Sequence, residues 1–222
     1  MTSARAQVAG DAPNVLVCAG LDPSGGAGLL ADVRIIALVG ARPLGIVTAA
    51  TVQDTLGVRA IHPLDAEMIG EQLAAVLGDV EVRAVKLGLL GSLPVVREIG
   101  RALAMTAAPV VWDPVGMPSR GGAAFDRELF DEALRELAPH LALITPNAHE
   151  LAAFAGRPLR DLESALVAAH DLSQRADTAV LVKGGHLPPG GPTGGPAGDE
   201  ALDVLVERER VTELRGPRVP GG

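Results

Sequence analysis

Six groups of polar or glycine residues recur along this chain, each directly after a short apolar run. Gly20 and Asp22 follow NVLVCAG, Gln53 ends GIVTAATVQ, and Lys86 and Gly88 end VRAVKLG. Asp113 ends PVVWD, Thr145, Asn147 and Glu150 follow LALIT, and Lys183, Gly184, Gly185 and His186 end AVLVKGGH. Each residue type suggests a chemistry. Carboxylates such as Asp113 and Glu150 can organise a hydrated Mg²⁺ ion, which prefers oxygen ligands and retains waters. A lysine ending a buried strand, Lys183, can offset phosphate charge. Asn147 and Glu150, three apart at a helix start, read equally as an N-cap with its capping-box acid or as a polar pair serving such a metal. Asp32 lies about a turn into a helix, where a carboxylate faces either solvent or a ligand.

The stretch CAGLDPSGGAGLLAD, Cys18 to Asp32, poses the sharpest question. It contains G-x-x-x-x-G-G without the lysine of a nucleotide-binding P-loop, and it lacks G-x-G-x-x-G at dinucleotide spacing. What remains is a strand–turn–helix whose glycines let backbone approach a ligand closely.

The elements that must position these residues alternate. Strands are expected over 14–20, 45–53, 82–88, 109–113, 141–145 and 179–185, and helices over 27–40, 65–79, 92–104, 127–139 and 163–176. In 65–79 the apolar residues Met68, Ile69, Leu73, Val76 and Leu77 keep helical spacing after acidic residues suited to a helix start. Pro94 falls in the first turn of its helix, where proline is tolerated. Such alternation predicts an α/β fold, a mostly parallel sheet with helices on both faces. Ligands of such sheets bind at the carboxyl ends of the strands, which puts the six groups on one rim. The segment 187–199 is almost all Pro and Gly and reads as a flexible loop. Residues 200–219 read as two strands with a turn near Glu207–Glu209. Residues 1–13 read as a loose tail, and 14–222 as one domain, although the length would also permit two small ones.

Composition excludes several classes. A net charge of −8 argues against a general nucleic-acid binder but not against binding one small anion. The single cysteine, Cys18, excludes an internal disulfide and a multi-cysteine metal cluster, and its place in a buried strand suggests packing. No apolar run approaches the roughly 20 residues that cross a bilayer, and residues 1–13 lack the apolar centre of a secretory signal. A cytoplasmic protein is expected. With three Phe, one Trp and no Tyr, the core must be mainly aliphatic.

The segments AGLDPSGGAGLLAD, TAATVQDTLGV, VKLGLLGS, VVWDPV, ITPNAHE and LVKGGH, in this order over roughly residues 14–186, resemble the hydroxymethylpyrimidine/phosphomethylpyrimidine kinases of thiamine synthesis, in the ribokinase-like superfamily. The resemblance implies ATP-dependent phosphorylation of an aminopyrimidine hydroxymethyl group and then of the monophosphate, with Mg²⁺. It makes the 20–32 loop the substrate loop and not the ATP loop. By position, Gly20, Asp32 and Gln53 match pyrimidine-binding residues, and Leu89 stands where some relatives carry methionine, a conservative change in the pocket wall. The Gln53 amide can donate and accept at once, complementing a ring nitrogen beside an exocyclic amine, and Asp32 can accept from that amine. Asn147 and Lys183 match phosphate/ATP elements, and Asp113 and Glu150 metal elements. The family's H-G-T-G-[CD] element, which carries the anion hole and the base, does not occur, so the base is expected beyond Gly222 and the fold is read as lacking its C-terminal part. Two alternatives stand beside this reading: a pyridoxine/pyridoxal kinase, and a non-catalytic pyrimidine-binding protein. The resemblance also allows a homodimer; it offers no role for nucleic acid or membrane.

Overall fold

The computed structural model describes residues 12–54, 57–116, 118–119, 122–125, 127–184 and 200–217. Most of the expected N-terminal tail, Gly185, His186 and the 187–199 loop lie outside the described residues. The chain divides into two compact units, Met1–Pro109 and Val110–Gly222.

The first unit comprises β1 (Asn14–Leu21), α1 (Gly28–Leu38), β2 (Arg42–Asp54), β3 (Gly57–Pro63), α2 (Ala66–Asp79), β4 (Val82–Leu87) and α3 (Leu93–Leu103). Its strands run in the order β4-β1-β2-β3. β1 pairs in parallel with β2 and with β4, which explains its almost wholly buried run. β3 returns antiparallel to β2. Leu29 of α1 packs with Val17 and Ala19, joined by Val33, Ile36 and Val47, so the helical apolar spacing does seat α1 on the sheet. Gly40 ends the helix region with φ +85°, a conformation that other residues adopt only with strain. α2 starts at Asp65, whose carboxylate accepts the Met68 N–H at 2.9 Å. Ile69 and Leu73 are buried, whereas Met68 is exposed. Cys18 is fully buried, and burial pushes its thiol up to about 12, so it packs and does not react.

The second unit comprises β5 (Val110–Trp112), a short ribbon β6 (Pro118–Ser119) and β7 (Gly122–Phe125), α4 (Arg127–Leu137), a 3-10 turn (Ala138–His140), β8 (Leu141–Ile144), α5 (Ala148–Ala155), α6 (Leu162–Ala176), β9 (Ala179–Val182), β10 (Glu200–Glu207) and β11 (Arg210–Pro217). The order is β11-β10-β9-β8-β5, with β5, β8 and β9 parallel and β10 antiparallel to both its neighbours. The expected C-terminal hairpin is therefore present, turning at Arg208 and Glu209. Trp112, Phe130 and Phe154 gather three of the chain's few aromatics, with centroids 5.0–6.4 Å apart.

Two features depart from the expected order. β3 was not expected because GVRAIHP buries no residue fully; hydrogen bonds to β2 define it, and they leave no apolar pattern. α5, expected only as a helix start, is a full helix closed by Gly156 at φ 65°.

Candidate functional site

In the first unit the 22–27 loop closes on itself. Asp22 is buried, and its Oδ1 accepts the Ser24 N–H at 2.8 Å, while Oδ2 accepts the Ser24 hydroxyl and the Ala27 N–H, each at 2.9 Å. Burial raises this carboxyl, but the Ser24 hydroxyl and the Ser24, Ala27 and Gly26 amides outweigh that and hold it below the usual carboxylate range. Amides at a helix start could receive a phosphate; here Asp22 takes the place of one. This answers the question of the glycine-rich stretch, since the Ser24 and Ala27 amides at the start of α1 are already engaged by a carboxylate of the same loop.

The glycines have separate reasons. Gly28 has φ +58°, and a Cβ there would stand 2.3 Å from the Gly20 carbonyl oxygen, so helix start and strand end touch through backbone alone. A Cβ on Gly20 would stand 2.9 Å from Leu89 Cδ2. Gly20 and Leu89, each assigned to the substrate site by the resemblance, thus lie close together, and Leu89 is buried. Gln53 sits at a register shift in the β2–β3 ladder, between Val52 and Gln53, a device that re-aims a side chain. The Thr51 hydroxyl lies 3.0 Å from the Leu21 carbonyl and 3.3 Å from Gln53 Oε1. A hydroxyl has one proton to donate, and the shorter contact takes it, which keeps the Gln53 amide available.

Asp32 neither faces solvent nor stands alone. Lys86 Nζ donates to both of its carboxylate oxygens at 2.6 Å. The sequence reading marked Lys86 as a polar strand end without giving it a partner.

In the second unit the strand ends converge on Lys183. Its Nζ donates to Asp113 Oδ1 at 2.6 Å and lies 3.8 Å from Glu150 Oε2. Thr145 Oγ1 is 3.4 Å from the same Asp113 oxygen. Asn147 and Lys183 form a parallel bridge, and the Lys183 N–H donates to the Pro146 carbonyl at 2.9 Å. Asn147 Oδ1 accepts the His149 and Glu150 N–H groups at 2.9 Å, and Glu150 Oε2 accepts the Asn147 N–H at 2.7 Å. The capping box is therefore real, yet it also delivers Glu150 to the lysine. Glu150 is only 4% exposed. Burial pushes its carboxyl up, and nearby Asp113 acts the same way, against the Asn147 amide and Lys183.

Among the described residues no group of three or more His, Cys, Asp or Glu side chains could enclose a metal ion. Asp113 and Glu150 fit a different kind of guest, a hydrated divalent cation held by one or two carboxylates and by phosphate oxygens. Asp203 was missed by sequence reasoning. Its Oδ1 accepts the Gly184 N–H at 2.7 Å and so holds the residue after Lys183. A Cβ on Gly184 would stand 1.5 Å from the Leu202 carbonyl oxygen, so β10 presses directly on that position. The available signal was an acid within the otherwise apolar run ALDVLV.

Comparison with known proteins adds an independent line. The family model described as phosphomethylpyrimidine kinase matches residues 22–222. The thiamine biosynthesis multifunctional protein ThiED of Corynebacterium efficiens is 40% identical over 93% of this chain, which spans 27% of that protein's length. The hydroxymethylpyrimidine/phosphomethylpyrimidine kinase of Streptomyces coelicolor is 34% identical over 93% of this chain and 73% of its own. Among solved structures, the phosphomethylpyrimidine kinase of Clostridium difficile superposes with a TM-score of 0.74 at 30% identity, covering 91% of this chain and 83% of that one. The pyridoxal kinase of Bacillus subtilis superposes with a TM-score of 0.78 over 95% of this chain and 76% of its own, but at 24% identity, which speaks to the shared fold alone.

Proposed function

This chain belongs to the phosphomethylpyrimidine kinase family, with its ribokinase-like α/β fold, and from that premise we propose that it phosphorylates 4-amino-5-hydroxymethyl-2-methylpyrimidine and its monophosphate with ATP, in thiamine biosynthesis. The observation that carries the reading is the Lys183 cluster, in which one ammonium is held 2.6 Å from Asp113 and 3.8 Å from buried Glu150. A protein that only bound a pyrimidine would have no use for that arrangement. In this reading residues 14–222 belong to one kinase domain.

In the reaction the hydroxymethyl oxygen of the pyrimidine forms a bond to the γ-phosphorus of ATP. The bond from that phosphorus to the bridging oxygen of ADP breaks, and the hydroxyl proton is released to solvent water. Such transfers need positioning and charge neutralisation more than covalent chemistry. Gly20 and Leu89 shape the wall for the ring, Gln53 pairs a ring nitrogen, and Asp32 accepts from the exocyclic amine. Asn147 orders the turn that carries Glu150, and Lys183 meets phosphate oxygens. Asp113 and Glu150 would hold Mg²⁺, and the ion would supply charge neutralisation to the phosphates.

No helix among the described residues is long and apolar enough to cross a membrane. The reading carries a cytoplasmic setting and a homodimer, which sedimentation would test. The decisive experiment is calorimetric titration with the aminopyrimidine and with pyridoxal, beside ATP–Mg²⁺ binding followed by fluorescence of Trp112, the only tryptophan and the neighbour of Asp113. Pyrimidine should bind at least about tenfold more tightly than pyridoxal, the scale of one lost buried hydrogen bond. Equal or reversed affinities would overturn the assignment.

A further inference from the structure

Asp32 and Lys86 come from α1 and the end of β4, 54 positions apart, yet both carboxylate oxygens lie 2.6 Å from one ammonium. Their side chains retain only 18% and 28% exposure. The pair adjoins the residues assigned to the pyrimidine. Asp32 is one turn into the helix whose start touches the Gly20 carbonyl at Gly28. Lys86 closely precedes Gly88, whose N–H donates to the Cys18 carbonyl at 2.9 Å, and Leu89, whose side chain packs on Gly20.

A carboxylate alone in that half-buried wall would present a full negative charge to the ring. Opposite charges within about 4–6 Å favour the charged partner by roughly ten- to a thousandfold. Such a site would select protonated or quaternised rings, with the neutral aminopyrimidine a poor competitor. Lys86 cancels that charge while leaving lone pairs on both Asp32 oxygens, since each carboxylate oxygen accepts more than one hydrogen bond. We infer that Lys86 is a specificity residue acting through Asp32. It keeps the pair neutral, so that the site accepts an uncharged amine-bearing ring and rejects a cationic one. This rests on the pyrimidine reading proposed above.

The test compares 4-amino-5-hydroxymethyl-2-methylpyrimidine with its N1-methylated cation, by calorimetry, in the full chain. The steric cost of the methyl group is common to all variants and cancels when ratios of affinities are compared. Lys86→Met should raise the cation-to-neutral ratio by about tenfold or more. Asp32→Asn, nearly isosteric, leaves Lys86 unbalanced and should move the same ratio about tenfold the other way. Lys86→Arg should restore the parent ratio, which a merely structural role for the pair would not predict. Thermal denaturation verifies that each variant folds, and if Lys86→Met does not, the Asp32→Asn shift alone decides. Unchanged ratios in folded variants, with the parent still binding the neutral ring, would overturn this inference and leave the pyrimidine reading intact. A parent chain that fails to bind the neutral ring would instead overturn that reading and this inference with it.

Discussion

Replacing Gly184 by alanine should unseat the end of β9. The added methyl carbon would stand 1.5 Å from the Leu202 carbonyl oxygen, 2.4 Å from the Leu202 carbonyl carbon and 3.3 Å from the Asp203 nitrogen. All three atoms are backbone of β10, so no flexible side chain can yield. The strand must retreat by more than an ångström, and the 2.7 Å bond from the Gly184 N–H to Asp203 stretches or breaks. Overpacking of this kind costs about 1–3 kcal/mol, and a hydrogen bond to a charged group about 1.5–3 kcal/mol, so a loss of about 2.5–6 kcal/mol is expected if the bond breaks. Urea denaturation followed by Trp112 fluorescence measures it, because Trp112 lies in the same unit and is only 2% exposed. Gly216→Ala is the control in that unit, since a Cβ there meets nothing within 4 Å. It should be neutral or stabilising by about 0.4–1 kcal/mol. Equal stability changes in the two variants would refute the claim that β10 braces the residue after Lys183.

Three other outcomes are expected. Gln53→Ala should weaken binding of the aminopyrimidine by about 1–3 kcal/mol, the cost of leaving a buried donor or acceptor unpaired; calorimetry with unchanged affinity would put Gln53 outside the pocket. Asp22 is held below the usual carboxylate range, so its stabilisation is fully present above the unfolded-state value and is lost as pH falls through the folded value. Melting curves for Asp22→Asn should therefore show a flatter acid limb than the parent, and parallel limbs would sink that account. Glu150 is shifted the other way, so stability in the parent declines as pH rises from the unfolded-state value through the raised folded value. Glu150→Gln keeps an oxygen for the Asn147 amide but no charge. It should lose that decline while weakening ATP–Mg²⁺ binding, both readable from melting curves with and without nucleotide.

Local pattern carried much of this protein. Apolar runs such as NVLVCAG and the helical spacing around Ile69 and Leu73 are set by burial, and burial writes itself into residue type, so the α/β alternation and the polar strand ends were legible. So were Asn147 and Glu150, whose capping box closes within three residues. β3 was not legible, because an edge strand is held by hydrogen bonds common to every sequence. The partners of Asp32, Asp113 and Gly184 were equally hidden. Lys86 lies 54 positions from Asp32, Lys183 lies 70 from Asp113, and Asp203 lies 19 from Gly184. A charged side chain announces a need for a partner, but strand order and register decide which one it meets. The Asp22 loop shows the same division at short range. Its glycines announced a turn where backbone can approach a ligand closely, and only the folded backbone revealed that the Ser24 and Ala27 amides are held by the loop's own aspartate.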